Sequence, residues 1–263
     1  MRRSVISRCA WLARVDTSQA GEPAIGDAFG LALLDYLEHG SDGWDHFVER
    51  DDGLLELIDP GVYFGSESDW SVTEAVVLER AGHRVLDIGA GAGRHALPLQ
   101  QAGHDVVALD ISPGAIEVCS RRDVRRTFTG TVFDLADTGG GPFDTFLLCG
   151  NNLGFLGSPA HAGRFLGALD QLAAPGAEII GTCVDPLATT NPLHLEYHEL
   201  NRGRGRLPGQ LRLRTRWTNL ASPWFDYLFL PVQELEALAK ESGWRLVEQQ
   251  QGPRPYLAVL QRK

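Results

Sequence analysis

The stretch that decides the fold is residues 84–93, which read RVLDIGAGAG. Its first half is largely aliphatic and ends at a glycine, which predicts a short strand buried in a parallel sheet. Its second half has a glycine at every second position, and glycine lets a backbone turn through angles closed to other residues and pass close to a ligand. Residues 94–103 then predict a helix that Pro98 kinks or shortens and that ends near Gly103.

Strand and helix patterns alternate downstream of this turn. Further strands are predicted at residues 105–110, 124–133, 143–148 and 177–184, and helices are predicted from residue 112 and over 159–174. This alternation is typical of βαβ units and predicts an α/β fold with a parallel sheet. The chain closes with a predicted helix over 231–242 and strands over 244–250 and 256–261. Because a short Gly-Pro turn joins the last two strands, they must be antiparallel.

The chain divides into four predicted regions. These are an N-terminal leader and helical cap over 1–80, a core over 81–185, an insertion over 186–230, and a helix with strands over 231–263 that completes the core. Within the insertion, residues 211–217 alternate between apolar and polar side chains, which predicts a half-buried strand. Residues 224–230 would pair with it as a hairpin and form a β-rich roof over the sheet.

Composition limits the classes of function. Of 263 residues, 43% are hydrophobic and 22% are charged, as in an ordinary soluble globular protein. The formal net charge of −10 disfavours nucleic acid and anionic membranes as partners, because their phosphates would be repelled. The sequence contains no uninterrupted apolar run of about 18 residues, so no membrane-spanning helix is predicted. The four cysteines are scattered, which predicts buried thiols in a reducing compartment. We therefore expect a cytoplasmic monomer or homodimer.

Two carboxylates beside the glycine turn indicate the kind of ligand it binds. Asp110 ends the next predicted strand, 21 residues after Gly89, where a carboxylate accepts hydrogen bonds from ribose hydroxyls. The alternative is that Asp110 caps the helix that begins at Ser112. Asp87 precedes the turn and suits a cationic amino group better than a phosphate. Because the glycine spacing is G-x-G-x-G rather than G-x-G-x-x-G, a nucleoside with a cationic tail is favoured over a dinucleotide such as NAD.

At these residues the chain resembles the class I S-adenosylmethionine (SAM) dependent methyltransferases. Residues 85–112, VLDIGAGAGRHALPLQQAGHDVVALDIS, are similar to the first two motifs of that family. The resemblance covers about residues 81–185 and 231–263. It implies a Rossmann-like, seven-stranded, mostly parallel sheet of order 3-2-1-4-5-7-6 with an antiparallel last strand, helices on both faces, and SAM as cofactor.

The resemblance also assigns roles to residues of this sequence. Beneath the methionine part of SAM it implies the loop residues Gly89, Ala90, Gly91 and Gly93, with Asp87 near the ammonium group. At the ribose it implies Asp110, and at the adenine it implies Ile111, Asp134 and Leu135. Beneath the sulfonium it implies Cys149 and Gly150.

Candidate acceptor-binding residues lie near the carboxyl edge of the predicted sheet, where ligands of such sheets bind. Asn151 and Asn152 either orient a substrate or satisfy the loop backbone. The amino-methylating enzymes of nucleic acid resemble one another in an Asn/Asp-Pro-Pro-aromatic stretch here, and residues 151–154, NNLG, depart from it. Upstream, Tyr63, Phe64 and Trp70 would form an aromatic wall over SAM or else simply pack in the core.

The insertion supplies further candidates. Arg214 is one of six arginines between residues 202 and 216, which form either the solvated face of a strand or a grip on an anionic acceptor. Trp224 begins the second strand of the roof and would reach the acceptor from there.

Three side chains of a predicted helix in the insertion are the candidate catalytic groups, namely His194, Tyr197 and His198. Residues 194 and 198 share a helix face. A base among these groups would take a proton from a hydroxyl or amine acceptor, whereas each histidine could equally be structural. No third ligand is evident beside the two histidines, so no metal site is expected.

These observations predict a SAM-dependent methyltransferase that acts on an oxygen or nitrogen of a small molecule by in-line displacement. Three alternatives stay open. They are a SAM-bound enzyme of a non-methylating reaction such as a cyclisation, an NAD-type oxidoreductase, and a SAM-binding protein without catalysis.

Overall fold

The computed structural model describes residues 12–14, 22–252 and 255–263. Most of the predicted N-terminal leader, and the proline of the predicted Gly-Pro turn, lie outside these residues.

The strands and helices alternate through the middle of the chain. The strands are β1 Leu12–Arg14, β2 Ala24–Ile25, β3 His46–Arg50, β4 Leu54–Ile58, β5 Arg84–Ile88, β6 Asp105–Asp110, β7 Thr127–Thr129, β8 Phe143–Leu148, β9 Ala173–Val184, β10 Gln210–Trp217, β11 Leu220–Ala221, β12 Phe225–Leu228, β13 Trp244–Gln250 and β14 Pro255–Arg262. The helices are α1 Ala28–His39, α2 Val72–Arg80, α3 Ala96–Gln101, α4 Pro113–Arg121, α5 Val132–Asp137, α6 Pro159–Gln171, α7 Pro192–Gly203 and α8 Val232–Glu241. No helix among the described residues is long and apolar enough to cross a membrane.

The core sheet has the strand order that the family resemblance implies. Its seven strands run β7-β6-β5-β8-β9-β14-β13 from edge to edge, which is 3-2-1-4-5-7-6 when they are numbered along the chain. Strands β5 to β9 pair in parallel, whereas β14 is antiparallel to both β9 and β13. The α/β class and the reversed last strand are therefore confirmed.

Apolar residues cover both faces of this sheet. Leu86 and Ile88 of β5 belong to one buried cluster, and Val85, which precedes them, belongs to another. Successive side chains of a strand point to opposite faces, so a strand buried on both faces is largely apolar. The exception in β5 is Asp87, which is a buried carboxylate on the same face as Val85.

A second sheet corrects the description of the N-terminal region. Residues 1–80 were expected to form a mostly helical cap, but β3 and β4 form an antiparallel hairpin there, with Gly53 in its turn at φ +84°. Strand β3 pairs with β10 of the insertion, where Glu49 lies opposite Arg214. The predicted hairpin of the insertion is present as β10 and β12. The N-terminal region and the insertion thus share one sheet of order β1-β4-β3-β10-β11-β2, with β12 paired to β10.

Helix α1 joins this cap directly to the core. A Cβ atom added at Gly30 of α1 would lie 2.6 Å from the Cα atom of Gly114 in α4. Asp27, the N-cap residue of α1, accepts hydrogen bonds from the Ser112 hydroxyl at 2.9 Å and from the Gly114 amide at 2.8 Å. The close approach and these bonds fix α1 against the turn that follows β6, next to the glycine loop.

Candidate functional site

The glycine loop between β5 and α3 is left-handed at three positions. The φ angles are +72° at Gly89, +55° at Gly91 and +78° at Gly93, a region that favours glycine. A Cβ atom at Gly89 would also lie 2.5 Å from the ring of Phe155 and 2.6 Å from Nδ2 of Asn152. The loop can therefore be built only with glycine at residue 89, and α3 starts late, at residue 96, because the chain first completes these turns.

Asp110 holds the loop at the end of β6. Its Oδ2 atom accepts a hydrogen bond from the Gly91 amide at 2.9 Å, and its Oδ1 atom accepts one from the Ser112 amide at 2.9 Å. The side chain of Ser112 is the N-cap of α4, whereas Asp110 bonds only to the backbone amide of that N-cap residue. Burial raises the pKa of Asp110 to about 6, although the two amide bonds oppose the shift. A carboxylate oxygen has two lone pairs, so both oxygens keep capacity for further donors.

Asp87, at the end of β5, is the charged group beneath the loop. It is 2% exposed, and its Oδ2 atom has no hydrogen-bond partner. Burial raises its pKa, while His95 and the Ala96 amide act in the opposite direction. A buried carboxylate oxygen without a donor is costly, and a bound cation would satisfy it. The free acceptor oxygen of Asp87 thus fits the ammonium group of a nucleoside with a cationic tail.

The residues predicted at the adenine differ in accessibility. Ile111 directly follows Asp110 and is 72% exposed, so its apolar side chain is accessible beside the residue predicted to bind the ribose. Asp134 is exposed and accepts hydrogen bonds from the Thr131 amide at 2.8 Å and hydroxyl at 2.6 Å, as part of a capping box of α5. Leu135 is 5% exposed and packs in the core. Its predicted contact with adenine finds no support in this packing and stays a prediction.

The segment after β8 contributes backbone openings and one free amide oxygen. Gly150 has a φ of +68°, and a Cβ atom added there would meet nothing within 4 Å, whereas Cys149 is buried. Asn152 donates through Nδ2 to the carbonyls of Ile88 at 2.9 Å and Gly89 at 3.1 Å, so it satisfies the loop backbone. Asn151 is left-handed, at φ +71°, and its buried Oδ1 atom has no partner.

Trp70 supports the loop from behind. Its ring lies 5.0 Å from that of His95, centroid to centroid. Glu74 of α2 accepts a hydrogen bond from Arg94 at 2.8 Å and lies 3.1 Å from Nε2 of His95. The Glu74 carboxylate therefore ties α2 to the residues that directly follow the glycine loop.

Tyr63 lies over the loop itself. A Cβ atom at Gly91 would be 3.7 Å from the ring of Tyr63 and 3.7 Å from that of Phe29. These two rings pack edge to face, with centroids 5.1 Å apart. Burial raises the pKa of Tyr63, and the carboxylates of Glu56 and Asp110 add to the shift. Of the residues predicted for an aromatic wall, Tyr63 thus lies at the loop beside Phe29, Trp70 packs on His95, and Phe64 packs on Tyr36 at 4.8 Å between ring centroids. Their predicted role in covering SAM stays a prediction.

The three side chains of α7 meet a different part of the molecule. Tyr197 donates a hydrogen bond to Asp51 at 2.5 Å, and the guanidinium of Arg50 lies 4.0 Å from the centre of its ring. Burial lowers the pKa of His194 and of His198, and Arg50 adds to both shifts. Among the described residues, no group of three or more His, Cys, Asp or Glu side chains could hold a metal ion. The predicted catalytic roles of His194, Tyr197 and His198 find no support in these contacts and stay predictions.

Arg214 and Trp224 are also engaged with each other and with Glu49. Arg214 donates to Glu49 at 2.8 Å, and its guanidinium lies 4.5 Å from the ring centre of Trp224.

Tyr227 lies opposite Leu211 in the pairing of β12 with β10. Because side chains alternate along β10, Arg214 lies on the face of the sheet opposite to that of Tyr227. Tyr227 is the residue that contacts the loop after β8, through its hydrogen bond to the Asn151 carbonyl at 2.6 Å.

Sequence reasoning missed His46, at the start of β3. It is fully buried, and neither ring nitrogen has a hydrogen-bond partner. Burial lowers its pKa to about 4, and Asp59 partly offsets the shift. Its ring centroid lies 6.0 Å from that of Phe29 and 5.8 Å from that of Tyr63. The only signal in the sequence was an isolated histidine between acidic residues, which by itself indicates nothing.

Known proteins match the part of the chain that carries this site. A family profile described as a methyltransferase domain matches residues 85–176. A SAM-dependent methyltransferase from Bacteroides fragilis, solved with S-adenosyl-L-homocysteine, superposes with a TM-score of 0.76 and 28% identity over 90% of this chain and 95% of that one. The 1,6-didemethyltoxoflavin-N1-methyltransferase of Burkholderia thailandensis gives a TM-score of 0.54 and 18% identity over 99% of this chain and 98% of that one, which is a likeness of fold.

Two curated relatives match over shorter segments. The magnesium-protoporphyrin O-methyltransferase of Rhodobacter capsulatus is 40% identical over 78 residues, which is 27% of this chain and 35% of that protein. A 2-heptyl-1-hydroxyquinolin-4(1H)-one methyltransferase of Mycobacteroides abscessus is 32% identical over 110 residues, which is 40% of this chain and 47% of that protein. The chain thus spans less than half the length of these curated relatives.

Proposed function

We propose that this chain, which belongs to the class I SAM-dependent methyltransferases, transfers the methyl group of SAM to an oxygen or nitrogen atom of a small molecule. The observation that carries the proposal is the pair of buried carboxylates at the glycine loop. Asp110 holds the Gly91 amide and keeps lone pairs free, and Asp87 has an oxygen without any donor. A ribose and an ammonium group would satisfy these two carboxylates at once.

The cofactor site would use the loop residues in the following way. The ribose hydroxyls would donate to Asp110, the ammonium group would lie at Asp87, and Ile111 would cover the adenine. Gly150 leaves room for a ligand beside the backbone, since a Cβ atom there would meet nothing within 4 Å. Bound SAM supplies a methyl group on a positively charged sulfur, which is an activated donor.

A dinucleotide suits the same loop poorly. Besides Asp87 and Asp110, the carboxylate of Asp27 lies close enough to raise the pKa of Asp110. Three carboxylates around one loop create a negative potential, and a pyrophosphate would be repelled by it. For this chain we therefore favour the function of a methyltransferase over that of an NAD-type oxidoreductase.

In the proposed reaction, a lone pair of the acceptor atom forms the new bond to the methyl carbon as the carbon–sulfur bond breaks. The electron pair of the broken bond stays on sulfur, and the proton of the acceptor atom leaves to solvent. The protein contributes alignment of the acceptor with the carbon–sulfur axis and exclusion of water from the reacting atoms. Phe29 and Tyr63 on one side, and Phe155 and Tyr227 on the other, would provide that cover.

Small molecules are the proposed acceptors. The Rhodobacter and Mycobacteroides relatives are named for small-molecule acceptors, and the net charge of −10 disfavours nucleic acid. The free, buried thiols of Cys119, Cys149 and Cys183 fit a reducing compartment, so we propose that the enzyme works in the cytoplasm.

Calorimetry of the purified chain tests the cofactor. We expect saturable binding of S-adenosyl-L-homocysteine and of SAM, and no binding of NADH. Binding of NADH in place of both would overturn the proposal. Mass analysis of the products of SAM-dependent turnover then separates methyl transfer, which adds 14 mass units to the acceptor (about the mass of one CH₂ group), from a non-methylating reaction, which leaves SAM unchanged.

A further inference from the structure

His46 has a buried polar ring whose hydrogen-bonding capacity is unused. The side chain is fully enclosed, and both Nδ1 and Nε2 lack a partner. Leaving a buried polar atom unsatisfied costs about 1–3 kcal/mol, and native proteins keep few such atoms. A ligand that brings its own donor or acceptor to the ring would remove this cost.

The place of His46 connects it to the glycine loop. Its ring packs with those of Phe29 and Tyr63, at 6.0 and 5.8 Å between centroids. The same two rings lie 3.7 Å from the Cβ position of Gly91. The three rings of Phe29, His46 and Tyr63 therefore form one continuous wall, which we call the histidine wall, from the loop into the cap.

A second group of aromatic rings lies at the same loop. Phe155 covers the Cβ position of Gly89, and its ring packs edge to face with that of Tyr227, at 5.6 Å between centroids. Phe29 and Tyr63 lie at Gly91, two residues further along the chain. We call Phe155 and Tyr227 the second wall, and flat ligands are the ones that stack and pack well against such rings.

The two walls carry no charged side chain of their own. Burial keeps the His46 imidazole neutral at neutral pH and keeps both tyrosines protonated. The nearby arginines of the cap sheet are engaged, because Arg50 is paired with Asp52 and Arg214 with Glu49. An anionic acceptor would lose its hydration here without gaining a counter-ion, so an acceptor without negative charge is favoured.

We propose that the acceptor is a planar aromatic compound without negative charge that lies between these walls and donates the hydrogen bond of its hydroxyl or ring N–H group to a ring nitrogen of His46. This inference rests on the proposed function, since it takes the space over the glycine loop as the site of methyl transfer. It adds the chemical class of the acceptor and the residue that recognises it.

The test uses calorimetry of the full chain saturated with S-adenosyl-L-homocysteine. The probes are 1-naphthol, its anionic counterpart 1-naphthoate, and the saturated alcohol decahydro-1-naphthol. We expect saturable binding of 1-naphthol and at least about tenfold weaker binding of the other two, since one loses hydration without a partner and the other cannot stack. His46→Phe keeps a flat ring but removes both nitrogens, and it should weaken 1-naphthol binding by about fivefold or more.

Two further variants keep this test decisive. His161→Phe alters a partly buried histidine that packs on Phe133 and Phe165, away from the loop, and it should bind 1-naphthol as the unaltered protein does. If His46→Phe fails to fold, His46→Gln, which retains a donor and an acceptor, should fold and bind 1-naphthol. The S-adenosyl-L-homocysteine affinity of each variant reports whether the cofactor site is intact.

The outcomes separate the two proposals. If S-adenosyl-L-homocysteine binds but 1-naphthol does not, or 1-naphthoate binds equally well, the acceptor class is wrong and the proposed function stands. Equal 1-naphthol affinity in His46→Phe and the unaltered protein would likewise remove His46 from the site. If S-adenosyl-L-homocysteine itself does not bind the folded protein, the proposed function fails and this inference fails with it.

Discussion

The Asp110 carboxylate accepts a hydrogen bond from the Gly91 backbone amide at 2.9 Å, so the end of β6 holds the glycine loop at the end of β5. The two strands are direct neighbours in the core sheet. One side chain therefore both shapes the loop and offers its remaining lone pairs to a ligand that lies against it.

Asp110→Ala should weaken the binding of S-adenosyl-L-homocysteine by about 1–3 kcal/mol, or roughly 5- to 150-fold in Kd, because the ribose loses a charged acceptor. It should also lower the thermal midpoint, since the Gly91 and Ser112 amides lose their partner. Asp110→Asn keeps one acceptor oxygen and should fall between the two proteins. Calorimetry that finds the same Kd in all three would exclude Asp110 from the cofactor site.

The same carboxylate predicts how cofactor binding depends on pH. Burial raises the pKa of Asp110 to about 6, so the group loses its charge as the pH falls through that value. Ribose hydroxyls donate to the ionised form, and the affinity for S-adenosyl-L-homocysteine should therefore fall below about pH 6, approaching tenfold per pH unit. Calorimetry between pH 5 and 8 measures this, and Asp110→Asn should show a flatter profile. A flat profile in the unaltered protein would contradict the assignment.

Gly89→Ala should destabilise the protein and abolish cofactor binding. A Cβ atom there meets Phe155 at 2.5 Å, and the φ of +72° strains any other residue. The matched control is Gly163→Ala in α6, where a Cβ atom meets nothing within 4 Å and the helix should gain about 0.5–1 kcal/mol. Urea unfolding compares the two, and a stable Gly89→Ala protein that binds normally would show that the loop is not built as described.

The region around the loop was predictable because its signals are local. The strand, the glycine turn and Asp110 all lie within 27 consecutive residues, from 84 to 110, and each follows from the residue type at its position. Leu135 shows where this reasoning stops. An apolar side chain near a predicted ligand can pack either in the core or against an adenine. The sequence alone does not show that Leu135 packs against Gly140 and the residues of the buried core.

The cap was harder because its order comes from distant pairing. Strand β3 pairs with β10, and Arg50 lies opposite Leu213, more than 160 residues later in the chain. The burial of His46 is a consequence of that sheet and of α1, and no pattern within residues 40–50 contains it. The same pairing brings Arg214 within hydrogen-bond distance of Glu49. Because this arginine already has an ionic partner within the cap, an arginine-rich strand need not be a surface that binds an anionic ligand.

Glu74→Gln should lower the free energy of unfolding by about 1–3 kcal/mol at neutral pH, because Arg94 and His95 lose a buried anionic partner. Burial by itself raises the pKa of Glu74, but hydrogen bonds from His95, Ser71 and Arg94 outweigh it and hold the pKa below its usual range. A depressed pKa adds stability above the unfolded-state value, which is lost as the pH falls. The difference between the two proteins in urea should therefore shrink below about pH 4.5, and a constant difference would contradict this ion pair.

A double-mutant cycle on Glu49 and Arg214 tests whether the N-terminal region and the insertion form one sheet. Both side chains are nearly enclosed and 2.8 Å apart, and they lie on strands β3 and β10. Glu49→Gln and Arg214→Met should each destabilise the protein, and the double variant should recover about 1–3 kcal/mol relative to their sum, because neither charge of this pair is then left without the other. Arg216, which also donates to Glu49 at 3.3 Å, loses that bond equally in the single and the double Glu49 variants. The control cycle uses Glu117 and Arg121, an exposed pair within α4 that should show much weaker coupling. Additive effects at Glu49 and Arg214 in urea unfolding would mean that the two regions do not stabilise each other through this contact.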